Sequence, residues 1–330
     1  MKTKPHHPVL TVVSLVLLLV SGDSWANPLV DWNWMKMASV SDVQQEIANG
    51  ADPVTDLNQY RRNALETAVF VGNEAVTVFL IKDHGMDVTM TSAFKDRATL
   101  LHAAVHREGT HYTPEAYRGM IDLLIGLGAD PDARDATGQT PLHRAVGNNF
   151  VTKAAALLDG GADLLLRHSE GDDLTPVGLA ARSSRVEMMQ MLLERGAVLE
   201  EADSLGQTLL ILAAGYNKNP DTLAYLLGKG ANVRAQRSSG ATALHLAAYD
   251  QDAEILDLLL DNGLDWAIAV RSGRGKVTPY ELAVRHNLKR LGGTKALARL
   301  EALHKEAGLP EPEGGWATLR RVTGQSGEDR

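Results

Sequence analysis

The 330-residue chain contains no cysteine, which removes disulfides, thiolate nucleophiles and cysteine-ligated zinc or iron–sulfur sites together. Aromatic residues make up only 5%, so any core must be built from small and aliphatic side chains on closely packed helices. There is no block of about five or more like charges, and the net charge is −8. A phosphate backbone selects clustered Lys and Arg, so nucleic acid is not an expected partner. No apolar run reaches the roughly 20 residues that a membrane-spanning helix needs.

Catalytic and ligand-binding signatures are missing as well. The sequence has no G-x-S-x-G elbow and no paired acid set that its elements would place together. The stretch 291–295 lacks the upstream glycine of a phosphate loop. In 130–135 the calcium-loop spacing is broken by Arg134, with no glutamate at the twelfth position. No cofactor is expected, and no enzymatic activity.

What is present is an ordinary globular balance, 44% hydrophobic and 22% charged, enough for a continuous core. The first 26 residues read as an address. Lys2 and Lys4 precede the apolar run from Val9 to Val20, and Ser24, Trp25 and Ala26 supply a small-x-small cleavage site. Cleavage is expected after Ala26, without stable membrane insertion, and it carries the net charge from −8 to −9 by removing Lys2, Lys4 and Asp23. With no cysteine for lipidation and no Asn-x-Ser/Thr sequon, the expected compartment is a bacterial periplasm or the exterior.

The remainder repeats. RNALETAV (62–69), ATLLHAAV (98–105), QTPLHRAV (139–146), LTPVGLAA (174–181), QTLLILAA (207–214), ATALHLAA (241–248) and VTPYELAV (277–284) align. Their threonine positions are Asn63, Thr99, Thr140, Thr175, Thr208, Thr242 and Thr278, spaced 36, 41, 35, 33, 34 and 36 apart. Each unit then runs into a second apolar helix and a glycine, as in IDLLIGLGAD (121–130) and AAALLDGGAD (154–163).

This pattern resembles the ankyrin repeat family, whose unit is a β-turn and two antiparallel helices with the hallmark T-P-L-H-x-A. The resemblance covers about residues 35–308. It implies an all-α solenoid of helix-turn-helix units joined by short β-hairpin-like connections. Within one unit, Thr140 caps a helix and Pro141 takes its first position. Leu142, Ala145 and Val146 face the second helix, where Leu157 and Leu158 form the opposing stripe. Gly161 ends that helix in the left-handed region, as Gly128, Gly196, Gly230 and Gly263 do in other units.

Since one pair cannot bury its faces alone, the array needs modified ends. Residues 27–57 are expected to form an N-terminal capping repeat, 58–277 the array, 278–308 a C-terminal capping repeat, and 309–330 a disordered tail. The chain is expected to be a monomer.

His102, His143 and His245 occupy one register. In the family that histidine, like Thr140 and Pro141, is a framework residue that bonds backbone in the turn. The same position is Glu66, Gly178, Ile211 and Glu281 in other units, so the array accepts its loss repeat by repeat. The competing chemical reading is a metal-dependent hydrolase using His102 and His106, four apart on one helical face with His111 nearby. A zincin requires Glu after the first histidine, and that position is Ala103.

The resemblance implies protein binding through hairpin tips and the groove beside the first helices. The candidate contact residues are Arg107, Tyr112, Tyr117, Arg144, Asn148, Arg182, Tyr216 and Tyr249, Tyr and Arg being frequent interface anchors. The 41-residue spacing places an insertion at 106–120, where Thr113 and Pro114 look like a helix start. Two roles fit: a scaffold or accessory factor for an exported protein, or an inhibitor or immunity protein against an exported toxin or lipase.

Overall fold

The computed structural model describes residues 27–309, apart from 94–95, 107–113, 169–172, 184, 217–218, 251–252, 264–269, 273–274 and 283–293. The expected leader (1–26) and most of the expected tail (310–330) lie outside the described residues. The chain divides into two compact units between Asp87 and Val88.

In the first unit a short 3-10 turn, Pro28–Val30, leads into α1 (Trp32–Met37) and α2 (Val40–Ala48), followed by α3 (Ala64–Val71) and α4 (Glu74–Lys82). Ser39 and Asp42 form a reciprocal capping box that starts α2. Asn63 and Glu66 do the same for α3. Asn73 caps α4 and also donates its side-chain amide to the carbonyls of Met35 and Ala38, at 2.9 and 2.8 Å, tying the α1–α2 corner to the second pair. The segment 27–57 therefore folds together with α3 and α4.

The second unit repeats one motif. Its inner helices are α5 (Leu100–His106), α7 (Pro141–Gly147), α9 (Pro176–Arg182), α11 (Leu209–Tyr216) and α13 (Ala243–Asp250). Its outer helices are α6 (Pro114–Gly126), α8 (Val151–Asp159), α10 (Val186–Glu194), α12 (Pro220–Gly228) and α14 (Ala253–Asp261). A three-residue antiparallel pair, β1 (Val270–Ser272) and β2 (Gly275–Val277), precedes a helical turn at 279–282 and the final helix α15 (Lys295–Glu306). Each inner helix packs on its own outer helix and on the next inner helix; outer helices pack on outer helices, and α15 covers α14. The result is an all-α two-layer stack.

Most of these helices run only seven to nine residues, shorter than the roughly 12–15 at which isolated helices become even marginal. Packing between layers supplies the stability they lack alone. Leu142, Ala145, Val146 and Leu157 are buried as expected, while Leu158 is only half-buried; Lys153 takes a place on the buried face instead. Its ammonium donates to the carbonyl of Val105 at 2.7 Å and lies over the Phe150 ring, 4.4 Å from its centroid, so the charge is satisfied. Inner helices approach closely where residues are small: a Cβ on Gly215 would stand 2.7 Å from a Leu246 methyl. The glycines ending the outer helices, such as Gly161 (φ +94°) and Gly196 (φ +104°), occupy the left-handed region.

The insertion appears as α6, thirteen residues long where the other outer helices have nine, with seven residues separating it from α5. Pro114 is its first residue. Thr113, the expected cap, lies outside the described residues.

Candidate functional site

Each inner helix begins at a turn that closes on itself. Asp135 N–H donates to the Gln139 carbonyl at 2.9 Å, and the Asp135 carboxylate accepts the amides of Thr137 and Gln139, at 2.7 and 3.1 Å, and the Thr137 hydroxyl. Asp203 repeats the arrangement with Leu205 and Gln207. Such aspartate-anchored turns fix the chain direction into the helix.

At the helix start, His143 N–H donates to the Thr140 hydroxyl at 3.4 Å, and the hydroxyl stands 2.9 Å from His143 Nδ1. On the other side of the ring, Nε2 lies 3.1 Å from the Leu174 carbonyl of the next repeat. A carbonyl only accepts, so Nε2 carries the proton and Nδ1 accepts from Thr140. His102 makes the same two contacts, with Thr99 at 2.8 Å and the Gln139 carbonyl at 3.0 Å. Burial pushes both imidazoles down to about 4, against the opposing pull of the backbone carbonyls they bond. Each ring is thus a neutral fastener between one helix start and the following turn. His245 takes the Thr242 hydroxyl on Nδ1 at 2.9 Å.

This geometry removes the material for a metal centre at His102 and His106. His102 is fully buried with both ring nitrogens engaged, whereas His106 is exposed at the end of α5. Among the described residues no three His, Asp or Glu side chains are grouped to hold a metal. His111 lies outside the described residues.

Arg144 departs from its expected surface role. Only 17% of its side chain is exposed, and its guanidinium bonds the buried Asp135 carboxylate at 2.7 and 3.0 Å and Asp96 at 3.0 Å. The Asp135 carboxyl is held below the usual range: burial opposes this, but the Thr137 hydroxyl, Arg144 and two amides outweigh it. Arg144 therefore neutralises a buried charge instead of presenting one. Two further arginines strap neighbouring turns: Arg134 donates to the Gly138 and Arg167 carbonyls, both at 2.7 Å, and Arg167 donates to the Asp173 and Ala202 carbonyls.

The other expected contact residues are placed as follows. Tyr216 at the end of α11 and Tyr249 on α13 are exposed at 56% and 50%. Asn148, just past α7, is exposed with its amide bonded to the Arg144 carbonyl at 3.0 Å, and Arg182 closes α9 half-buried. Arg107 and Tyr112 lie outside the described residues; Tyr117 is in α6, with its side chain outside them. The structure thus brings Tyr216 and Tyr249 onto adjacent inner helices and leaves Arg144 in the framework. Sequence reasoning passed over Asp96 and Glu201 and weighed Asp135 only as part of a calcium loop; the repetition of D-x-x-G-Q-T at 135–140 and 203–208 was a signal for Asp135 and Asp203.

A family profile described as Ankyrin repeats (3 copies) matches residues 111–203 and 210–301, together more than half of the chain. Among curated proteins, the mouse B-cell lymphoma 3 protein homolog is 35% identical over 150 residues, covering 44% of this chain and 33% of that protein. The E3 ubiquitin-protein ligase KEG of Arabidopsis thaliana is 30% identical over 164 residues, 46% of this chain and 10% of that protein. The aligned part spans about a third or less of the length of these relatives. Among solved structures, the ankyrin repeat domain of Bcl-3 superposes with a TM-score of 0.56 at 28% identity, covering 77% of this chain and 99% of that one. The human ASB11 ankyrin repeat domain gives 0.57 at 24% identity over 73% of this chain and 97% of that one.

Proposed function

The chain belongs to the ankyrin repeat family, and from that premise we propose that it is an exported, non-catalytic scaffold or accessory factor that binds a protein partner on its inner-helix surface. A repeat stack of this kind serves as a protein-interaction scaffold; the finer reading concerns where and what it binds. One observation carries it: Tyr216 and Tyr249 stand half or more exposed on adjacent inner helices, while most of the other large hydrophobic side chains among the described residues are buried. Tyrosine offers large contact area with few rotors, together with a hydroxyl for the rim of an interface. The charged start, the apolar run Val9–Val20 and the Ser24-Trp25-Ala26 site support export.

The test is affinity capture from the exported fraction with residues 27–330, with Tyr216→Ala/Tyr249→Ala as control. A protein retained in stoichiometric amount by the native chain and lost with the double variant supports the reading. Equal retention by both, or none by either, overturns the assigned surface. Export is tested separately by N-terminal mass analysis of the chain recovered from the cell: a start at Asn27 supports it, and an intact Met1 contradicts it.

A further inference from the structure

Three connections of the second unit are equal in length from the glycine after an outer helix to the threonine before the next inner helix: Gly128 to Thr140, Gly196 to Thr208 and Gly230 to Thr242. Their backbones close alike. Asp135, Asp203 and Arg237 each donate an N–H to the carbonyl four residues on, at 2.9, 3.1 and 2.9 Å, and Gly138, Gly206 and Gly240 share a positive φ. The charges do not repeat. At the fourth and seventh positions after the glycine, the first two connections carry acids, Asp132 and Asp135, then Glu200 and Asp203, whereas the third carries Arg234 and Arg237.

The acids are used inside the stack. Asp132 and Glu200 accept the amides of Asp163 and Asn232 in the following connection, both at 2.8 Å, while Asp135 and Asp203 hold their own turns. The arginines are used far less. Arg237 donates Nε to the Ser239 hydroxyl at 2.8 Å, which anchors the turn and leaves the two terminal nitrogens of its guanidinium without a partner among the described residues. Arg234 is exposed and bonded only through its backbone, to Asn232. By contrast Arg134, Arg144 and Arg167 are all tied to carbonyls or carboxylates.

No acid of the same stretch offsets these cations: residues 222–249 contain no Asp or Glu, in a chain that has 41 among 330 residues. The next connection in the chain is basic as well, since β1 and β2 pair Arg271 with Lys276 in register and no acid occurs from 266 to 280. The turn gains nothing from the reversal, because acids close the same backbone, so the consequence lies outside the chain. A guanidinium with free terminal N–H groups fits a carboxylate through two parallel bonds. Glu200, Glu201 and Asp203 in the preceding connection, and the net charge of −8, repel a long phosphate backbone, whereas a short run of carboxylates needs only the local cations.

We propose that the turn holding Arg234 and Arg237 is a docking point for an acidic segment of the protein partner, whose carboxylates meet the two guanidinium groups. This rests on the protein-binding reading above and adds the chemistry of the partner; the same repeat carries Tyr249 on α13.

The experiment titrates acetylated, amidated hexaglutamate into the full chain near pH 7 and follows the arginine Nε–H groups and the amides of 234–241 by NMR. Saturable shifts at Arg234 and Arg237 are expected, weakening as salt rises from about 50 to 200 mM, with none from hexaglutamine. Arg234→Glu/Arg237→Asp, which restores the acids of the equivalent turn, should melt as the native chain does and bind hexaglutamate at least threefold more weakly. Absence of saturable shifts at both arginines overturns the docking point, as does an undiminished response of the remaining amides in that variant. Tighter binding of hexathymidylate than of hexaglutamate overturns it too, in favour of a phosphate backbone. The titration reads this turn alone and the capture experiment reads the tyrosine surface, so the two failures are distinguishable.

Discussion

Two helix starts in the second unit share the frame D-x-x-G-Q-T, residues 135–140 and 203–208, yet they close differently. At the first, the Thr140 hydroxyl meets His143, the ring reaches the next turn, and Asp135 is neutralised by Arg144. At the second, the residues equivalent to His143 and Arg144 are Ile211 and Leu212, both buried. There the Thr208 hydroxyl is buried without a partner, and Asp203 is satisfied by Gln207 from its own turn. The backbone course is common to both; aspartate, glycine and threonine set it locally. The fastening to the next repeat is a separate layer, supplied by a polar network in one place and by aliphatic packing in the other. A third solution appears at Thr278, whose amide donates to Glu281 at 2.7 Å in place of an imidazole.

The largest expected effect that would break this contrast is at His143. His143→Ala removes two bonds, leaves the Leu174 carbonyl short of a donor and opens a cavity, for a loss of about 3 kcal/mol in denaturant unfolding. Gly178→Ala, at the same register, should change stability by less than about 1 kcal/mol, since only a leucine methyl must yield. Equal losses at the two sites would refute the distinction. Arg144→Ala is expected to cost about 2–3 kcal/mol by leaving the buried Asp135 carboxylate unpaired, read in the same way.

The pH dependence sharpens the contrast without altering the backbone. The unfolded histidines protonate near 6.5, whereas His102 and His143 resist protonation to about 4. Between those values the unfolded chain binds more protons, so stability falls as the pH drops from about 7 to 4 and then levels. The total is on the order of 3 kcal/mol for each ring. The slope should flatten in His102→Gln/His143→Gln.

How much of this was legible in the sequence follows from the same division. The helix pairs, capping threonines and left-handed glycines follow from local spacing, because each answers a need within about one repeat; the framework role of the histidines is what the family resemblance implied. The fate of Arg144 does not. It depends on Asp96, 48 residues earlier, and Asp135, nine earlier, which the fold brings to one guanidinium. The burial of Lys153 does not follow from local spacing either, since its acceptor, the Val105 carbonyl, comes from the preceding repeat.

Smaller effects test the comparison at single atoms. Thr140→Val should cost about 1–2 kcal/mol, because its hydroxyl serves both cap and ring. Thr208→Val should be neutral within about 0.5 kcal/mol, since a buried hydroxyl without a partner gives nothing up. Smallest of all in stability are Tyr216→Ala and Tyr249→Ala, expected within about 0.5 kcal/mol because both side chains are exposed. Their consequence is expected in partner capture alone.

The account rests most directly on the imidazoles being neutral fasteners, and long-range 1H–15N NMR of the histidine rings through a pH titration reads this atom by atom. The predicted result is that His102 and His143 hold the Nε2–H tautomer and stay neutral down to about pH 4. Titration of His102 or His143 near 6.5, or an Nδ1–H tautomer at either ring, would contradict it.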